Sequence, residues 1–226
     1  MYSGYGKWII ESLGELPRHA GHVILIRHSE RPDFRNIPAN IWNNVILTQI
    51  GEEVATEFGV ALATEAHIPS ISAHGWGLER CVITAKKIVE GATSAGISAV
   101  YSPLTNFQSP IKNIDLYSNY LQSGKYFEMV EDWFSSNSVR GPFIPYDMYS
   151  RHIVSKLINE HMWLTDNVTV IVTHDLHILP LFNYVFGEKK EIGFMDGIMI
   201  SKGDNMLKFF SNNYIKSFSC NDFYSK

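Results

Sequence analysis

Two arginines flank one histidine directly after a short apolar run. The run is 23–26, and Arg27, His28 and Arg31 follow it. Each guanidinium presents a planar fork of N–H donors that matches the oxygens of a phosphate group. An imidazole held between two such groups can attack a bound phosphoryl group as a nucleophile. The spacing therefore predicts an oxyanion pocket in which His28 is the reacting group.

The apolar run itself predicts how these side chains are positioned. It is too short for a typical helix and β-branched at three of its four positions, as in a buried strand of a parallel sheet. Open α/β sheets bind ligands at the carboxyl ends of such strands. A second run, 168–172, has the same character and ends in Thr173, His174 and Asp175. We therefore expect His28 and His174 to meet at one edge of a single sheet.

A third segment, 70–90, predicts a strand, a glycine-bearing turn and a helix that opens near Glu79. Arg80 falls in the first turn of that helix. Helix N-termini attract anions through their free amides and the macrodipole, and an arginine there adds a bidentate contact. Arg80 is therefore a candidate third guanidinium of the pocket.

Further periodic segments predict the surrounding elements. Apolar residues recur at three- and four-residue spacing over 48–62, 149–163 and 176–186, which predicts sheet-covering helices. Thr48 can cap the first of these helices, and Gly187 can end the last. A terminal hairpin is predicted over 197–210. The tail, 211–226, is compatible with an ordered extension or with a frayed end.

The segment 103–148 has only short periodic pieces and predicts an inserted cap of loops and one or two helices over the strand ends. We interpret its aromatic residues as the core of that cap rather than as a stacking surface. They include Phe107, Tyr117, Tyr120, Tyr126, Phe127 and Trp133.

Composition narrows the class of protein. The chain has 226 residues, 45% of them hydrophobic and 19% charged, which suits one α/β domain over 1–226. No apolar stretch approaches the length of a membrane span, and a net charge of −4 disfavours nucleic-acid binding. Cys81 and Cys220 lie far apart without metal-ligand spacing, and the N-terminus lacks the pattern of a signal peptide. We expect a cytoplasmic protein, although a mature secreted form would have the same pattern.

Together the motifs resemble the histidine phosphatase superfamily, which includes phosphoglycerate mutases and acid phosphatases. The segment 27–32, Arg-His-Ser-Glu-Arg-Pro, is similar to that family's Arg-His-Gly signature, with Ser29 in place of the glycine. The pattern Leu-Thr-x-x-Gly-x-x-x-Ala-x-x-x-Gly-x-x-Leu over 47–62 is similar to the first helix of phosphoglycerate mutase-like proteins. Arg80-Cys-x-x-Thr84-Ala85 resembles a phosphate-binding segment of the family, and Thr173-His174-Asp175 resembles its second catalytic segment.

The resemblance implies a three-layer α/β/α sandwich with a mostly parallel central sheet and an inserted cap, as in phosphoglycerate mutases. It implies a phosphatase that needs neither metal nor cofactor and forms a phosphohistidine on His28. The substrate would be a phosphomonoester, a phosphohistidine or an acyl phosphate, carried on a small molecule or a protein. The implied catalytic residues are His28, His174 and Asp175, and the implied substrate-binding residues are Arg27, Arg31 and Arg80.

Two questions stay open at this level. The general acid can be Asp175, Asp115 or, more remotely, Glu79; a good leaving group needs no acid, and Asp175 would then only cap a helix. The activity can also be that of a phosphoglycerate-type mutase, or the chain can be a catalytically silent phospholigand-binding or regulatory module. An intact His28 beside Arg80 and His174 favours an enzyme.

Overall fold

The computed structural model describes residues 4–14, 16, 20–33, 37, 39–66, 68–105, 107–136, 141–160, 162–163 and 166–224. Seven strands form one sheet. They are β1 (Gly21–Arg27), β2 (Ser70–Trp76), β3 (Ser98–Leu104), β4 (Val168–Thr173), β5 (Gly197–Lys202), β6 (Met206–Ser211) and β7 (Tyr214–Ser219). Their order across the sheet is β3-β2-β4-β1-β5-β6-β7.

The sheet is parallel where the predicted site residues lie. Strands β3, β2, β4 and β1 run parallel, whereas β5, β6 and β7 continue as an antiparallel meander. Strands β1 and β4 are neighbours with Arg27 opposite Thr173. The next residue of each strand, His28 and His174, therefore leaves the sheet at the same edge.

Helices cover both faces of this sheet. The α-helices of the described residues are α1 (Lys7–Gly14), α2 (Gln49–Thr64), α3 (Glu79–Ser94), α4 (Ile114–Gln122), α5 (Tyr126–Ser136), α6 (Tyr146–Asn159) and α7 (Asp175–Phe186). Helices α4 and α5 belong to the cap segment, and the others pack on the sheet. Alternation along β1 divides the core, because Ile24 and Ile26 pack with α1, α2 and α3, whereas Val23 and Leu25 pack with α6 and α7. The predicted three-layer α/β/α fold is confirmed.

The packing of α2 against α3 explains a glycine in the sequence pattern of α2. A Cβ atom on Gly59 would lie 2.1 Å from the carbonyl oxygen of Ile88, and one on Gly91 would lie 1.9 Å from that of Thr56. Helices α2 and α3 therefore cross at a pair of glycines where neither helix has room for a side chain.

Most local predictions agree with the structure. Thr48 caps α2 by accepting the N–H of Gly51, and Gly187 ends α7 in the left-handed conformation, with φ of 75°. Pro103 lies within β3, where it is tolerated because β3 is an edge strand of the sheet. Proline is ordinarily tolerated only in the first turn of a helix, but Pro180 lies beyond the first turn of α7. Helix α6 begins and ends a few residues earlier than predicted.

Two regions extend this picture. The tail forms β7, which pairs along its whole length with β6, so the prediction of a hairpin alone missed a strand. Within 103–148 lie α4 and α5, which share a small core whose buried members are Met129 and Trp133 of α5 together with Phe143 and Leu176. In the part of the chain that the structure describes, no helix has the length and apolar character needed to cross a membrane.

Candidate active site

His28 is buried at the end of β1, with only 2% of its surface exposed. Its Nδ1 atom lies 2.8 Å from the carbonyl oxygen of Ser29, and its Nε2 atom lies 3.1 Å from Nε of Arg80. A carbonyl oxygen can only accept and a guanidinium can only donate. The proton is therefore on Nδ1, and Nε2 carries a free electron pair that faces Arg80.

The electrostatics of the pocket keep this imidazole neutral. Burial lowers the pKa of His28 to about 2, and the positive charges of Arg80, Arg27 and Arg31 act in the same direction against the opposing hydrogen bond to Ser29. A nucleophilic nitrogen must be unprotonated. His28 meets this requirement throughout the neutral pH range.

Arg80 is held in place by bonds on several sides. Its Nη1 atom donates to the carbonyl oxygen of Trp42 at 3.0 Å, and its Nη2 atom lies 3.5 Å from Nδ1 of His174. The residue is buried in the first turn of α3, as predicted. Trp42 lies in the loop after β1, so this loop overhangs the pocket and helps to orient the guanidinium.

Arg27 and Arg31 add positive charge to the same site. Arg27 donates from Nη1 to the carbonyl oxygen of Ile192 at 2.6 Å, and its Cζ atom lies 4.8 Å from the ring centre of Phe194. Its Nε atom is buried and has no hydrogen-bond partner in the described part of the chain. Burial, together with the charges of Arg27 and Arg80, lowers the pKa of Arg31 to about 10. A bound anion would relieve the electrostatic repulsion among these three guanidiniums.

His174 lies beside His28, with 5.2 Å between the ring centres. Its Nδ1 atom faces the donor Nη2 of Arg80, which leaves the proton on Nε2, 3.4 Å from Sγ of Cys81. Burial and the charge of Arg80 hold the pKa of His174 well below its ordinary value. Donation from Nδ1 to a phosphate oxygen requires a second proton on the ring, which a bound dianion favours because opposite charge raises the pKa of an imidazole.

The backbone around the histidine is fixed by the motifs that the sequence singled out. Thr84 accepts the N–H of Ser29 at 3.1 Å and donates to the carbonyl oxygen of Arg80 at 2.8 Å. Thr48 donates to Oε1 of Glu30 at 3.0 Å. Ser29 is fully buried, so the chain accommodates a side chain where the related signature has glycine. The residues next to His28 are thus tied to α2 and α3.

Solved structures with a similar fold are known, although the sequence comparisons found no relative: no family model and no curated protein matches the sequence. A phosphoglycerate mutase from Bacillus anthracis matches with a TM-score of 0.52 and 18% identity, over 89% of this chain and 92% of that chain. A mycobacterial glucosyl-3-phosphoglycerate phosphatase matches with a TM-score of 0.52 and 16% identity, over 80% of this chain and 90% of that chain. A structure described as mycobacterial hydrolase 1 matches with a TM-score of 0.52 and 17% identity, over 88% and 96% of the two chains.

The chain has a phosphoglycerate mutase-like fold. Identities of this size establish the fold, and the chemistry of the site rests on the residues themselves. In this phosphoglycerate mutase-like fold, a cavity of about 990 Å³ opens above the sheet edge and is lined by all six of the predicted site residues: Arg27, His28, Arg31, Arg80, His174 and Asp175.

Asp175 is the first residue of α7, and His174 is its N-cap. One carboxylate oxygen, Oδ1, accepts the N–H of Leu176 at 2.9 Å. The other, Oδ2, accepts from the hydroxyl of Tyr126 at 3.3 Å and lies 3.9 Å from Nη2 of Arg27. Asp175 thus contributes to the helix N-terminus and also presents a carboxylate to the cavity.

The other two candidate acids lie away from the cavity. Asp115 and Glu79 are exposed to solvent, and neither lines the cavity. Asp115 follows Ile114, which faces the cavity, and one residue along a helix turns the side chain by about 100°. The geometry therefore leaves Asp175 as the predicted acid that can reach a bound ester.

Tyr126 is a site residue that the sequence interpretation assigned only to the cap core. Burial and the neighbouring charge of Asp175 hold the pKa of its hydroxyl well above the ordinary value, so it remains a hydrogen-bond donor. It packs against the cap core and also lines the cavity. No spacing or motif marks it, because its role depends on how α5 lies over the end of β4.

His177 is a second such residue. The hydroxyl of Tyr149 donates to the carbonyl oxygen of Gln108 at 3.0 Å, so Nδ1 of His177, 2.5 Å from the same hydroxyl, is the donor in that contact. Burial lowers the pKa of His177 to about 3. The residue lines the cavity as a neutral aromatic ring. Within the described residues no group of three or more metal-binding side chains is present.

Proposed function

We propose that this protein is a phosphatase of the histidine phosphatase superfamily that hydrolyses a phosphomonoester through a phosphohistidine on Nε2 of His28. The observation that carries the proposal is the state of that nitrogen. It is unprotonated, has a proton on the opposite ring atom, and faces a guanidinium at 3.1 Å. A residue that only bound phosphate would not need a free electron pair at this point.

The arginines supply the charge that the substrate requires. A phosphomonoester carries about two negative charges at neutral pH. Arg27, Arg31 and Arg80 can distribute donors over its oxygens and over those of a loose transition state. When the phosphate binds, we expect Arg80 to donate to a phosphate oxygen and to free the Nε2 electron pair of His28. Three guanidiniums balance the charge without a metal ion.

The reaction then has two steps. The carboxylate of Asp175 takes up a proton from solvent as the dianionic ester binds. Nε2 of His28 then attacks phosphorus, the bond between phosphorus and the ester oxygen breaks, and the departing alkoxide takes that proton from Asp175. In the second step a water molecule attacks the phosphohistidine, the P–N bond breaks, and Asp175 accepts the proton of the water. Inorganic phosphate leaves, and both residues return to their starting protonation states.

The deciding experiment is hydrolysis of p-nitrophenyl phosphate in the presence of EDTA, with acid- and alkali-quenched samples analysed for labelled phosphoenzyme. We expect metal-independent release of phosphate and a phosphoenzyme that is stable in alkali and labile in acid, as a P–N bond is. Binding of phosphate without any release from a panel of phosphomonoesters would indicate a binding module. Formation of an isomeric phosphoester from a phosphoglycerate, without free phosphate, would indicate a mutase.

A further inference from the structure

The cavity extends well beyond the space that a phosphate group needs. Its volume of about 990 Å³ is that of a site for a whole organic molecule. The arginines and the catalytic histidines account for one part of the lining. The rest of the lining therefore contacts whatever the phosphate is attached to.

Most of that remaining surface is apolar. The cap helices contribute Ile114, Tyr117, Leu121, Tyr126, Phe127, Val130 and Phe134. Ile114, Tyr117 and Leu121 are three and four residues apart, so one face of α4 points into the cavity. Ile114 is 63% exposed and Phe127 is 77% exposed. Large apolar side chains that gather at an open cavity mark a ligand-binding surface.

Aromatic rings form another part of the lining, which we call the aromatic wall. Trp76 lies against His177 with 3.7 Å between ring centres and against Phe107 with 5.0 Å between ring centres. All three rings line the cavity. His177 is a neutral ring here, so this wall offers π-faces and no charge.

Each of the two lysines in the cavity lining is paired with a carboxylate. Lys189 contacts the carboxylate of Glu131 on α5, and Lys190 lies 2.7 Å from Oδ2 of Asp196. Apart from the three arginines, these are the cationic residues that the described lining contains. A substrate with a second anionic group would have to break one of these pairs.

We propose that the alcohol part of the substrate is a large, uncharged, aromatic or otherwise apolar group that occupies the cap section of the cavity. The proposal rests on the phosphatase activity proposed above and specifies its substrate class. The apolar surface is continuous with the phosphate site, so one molecule can fill both. A sugar phosphate or a phosphoglycerate would leave this surface in contact with polar groups. Beyond the three arginines proposed to hold the phosphate, the cations of the described lining, Lys189 and Lys190, already have carboxylate partners.

The test compares kcat/KM for three aryl phosphates whose phenolates all leave readily: phenyl phosphate, 2-naphthyl phosphate and 4-carboxyphenyl phosphate. We expect 2-naphthyl phosphate to exceed phenyl phosphate by about tenfold or more, since its second ring buries additional apolar surface against the cap section of the cavity. The carboxylated ester should fall below phenyl phosphate by a similar factor. Phe127→Ala should lower kcat/KM for the naphthyl ester more than for the phenyl ester. Ile215→Ala, at a comparably exposed position on β7 outside the cavity, is the matched control.

The outcomes separate this inference from the activity on which it rests. Equal kcat/KM for the three esters would overturn the substrate class and leave the phosphatase activity standing. A phosphotyrosine peptide that is preferred over the naphthyl ester, with no effect of Phe127→Ala, would also overturn it. Failure to release phosphate from any ester would instead overturn the phosphatase activity.

Discussion

Arg80 donates a hydrogen bond from Nε to Nε2 of His28 across 3.1 Å. This one contact connects α3 to the end of β1 and brings the proposed phosphate-binding group into contact with the proposed nucleophilic atom. The same guanidinium reaches toward His174 and is held by the carbonyl oxygen of Trp42. The site is therefore organised before any ligand arrives, which is the condition for strong electrostatic stabilisation of a transition state.

His28→Ala should abolish turnover while the fold stays intact, because the ring faces a polar pocket at a strand end. The measurement is phosphate release together with the melting temperature. His152→Ala, which removes an exposed histidine on α6, is the control and should retain full activity. More than a few per cent of wild-type activity in His28→Ala would exclude His28 as the nucleophile.

Arg80→Ala should raise the catalytic barrier by about 2–4 kcal/mol, as loss of a preorganised oxyanion donor does. Arg80→Lys should recover little activity, since an ammonium group cannot reproduce the fork that contacts both histidines. The inhibition constant of vanadate, an oxyanion that binds without being turned over, should rise in Arg80→Ala and measures the loss of oxyanion binding directly. Arg151→Ala removes an exposed arginine of α6 and serves as the control; an unchanged vanadate constant in Arg80→Ala would contradict the assignment.

Asp175→Asn should slow hydrolysis of alkyl phosphates far more than that of p-nitrophenyl phosphate, because an alkoxide needs a proton and a nitrophenolate does not. A general acid contributes typically 10²–10⁴-fold, about the difference expected between the two substrates. Asp115→Asn, at an exposed position of the cap, is the control and should affect neither substrate. Equal losses on both substrates with a lowered melting temperature would restrict Asp175 to its role at the start of α7.

Tyr126→Phe should reproduce part of the Asp175 defect, since its hydroxyl holds Oδ2 of that carboxylate from the cap side. We expect a loss of up to about tenfold on alkyl phosphates, corresponding to one hydrogen bond of about 1 kcal/mol, and little loss on p-nitrophenyl phosphate. The double variant with Asp175→Asn tests the mechanism. Additive losses would show that Tyr126 acts independently of Asp175.

Acid should destabilise the protein through its buried neutral imidazoles. The pKa is lowered to about 2 for His28 and about 3 for His177, whereas an imidazole of the unfolded chain has a pKa of about 6.5. Below pH 6.5 the unfolded chain therefore binds more protons than the folded protein. The free energy of unfolding should fall as the pH drops from 6.5 toward 3, by up to about 1.4 kcal/mol per pH unit for each such group.

Urea unfolding of wild type and His177→Gln between pH 7 and pH 4 measures this effect. In His177→Gln, the free energy of unfolding should fall less steeply with decreasing pH, by the equivalent of about one bound proton. The control His152→Gln should give the same pH dependence as wild type. Parallel curves for wild type and His177→Gln would mean that His177 takes up its proton in the folded protein.

Much of the fold and most of the site are local in origin, and the sequence predicted them. The run 23–26 is apolar throughout, the run 168–172 is apolar except at Thr169, and both are β-branched at most positions, which indicates strands covered on both faces. Charged residues directly after such strands lie at a sheet edge in any α/β fold. The position along a single element was therefore enough to place most of the site residues. Strand ends placed Arg27, His28, His174 and Asp175, and the start of a helix placed Arg80.

Other properties depend on elements that meet only in the folded chain. The sequence favoured Asp175 as the acid by resemblance and left Asp115 open as an alternative. The exposure of Asp115 outside the cavity depends on which face of α4 points inward, and no local pattern determines that. Strand β7 has little pattern of its own, and its place is determined by pairing with β6. The tautomer of His28 follows from Ser29 and Arg80 acting on opposite ring nitrogens, and the contact of Tyr126 with Asp175 follows from the way α5 packs over the strand ends. Hydrogen bonds of this kind require a fit of tenths of an ångström between distant segments, so the sequence determined which groups were present and tertiary packing decided which of them touch.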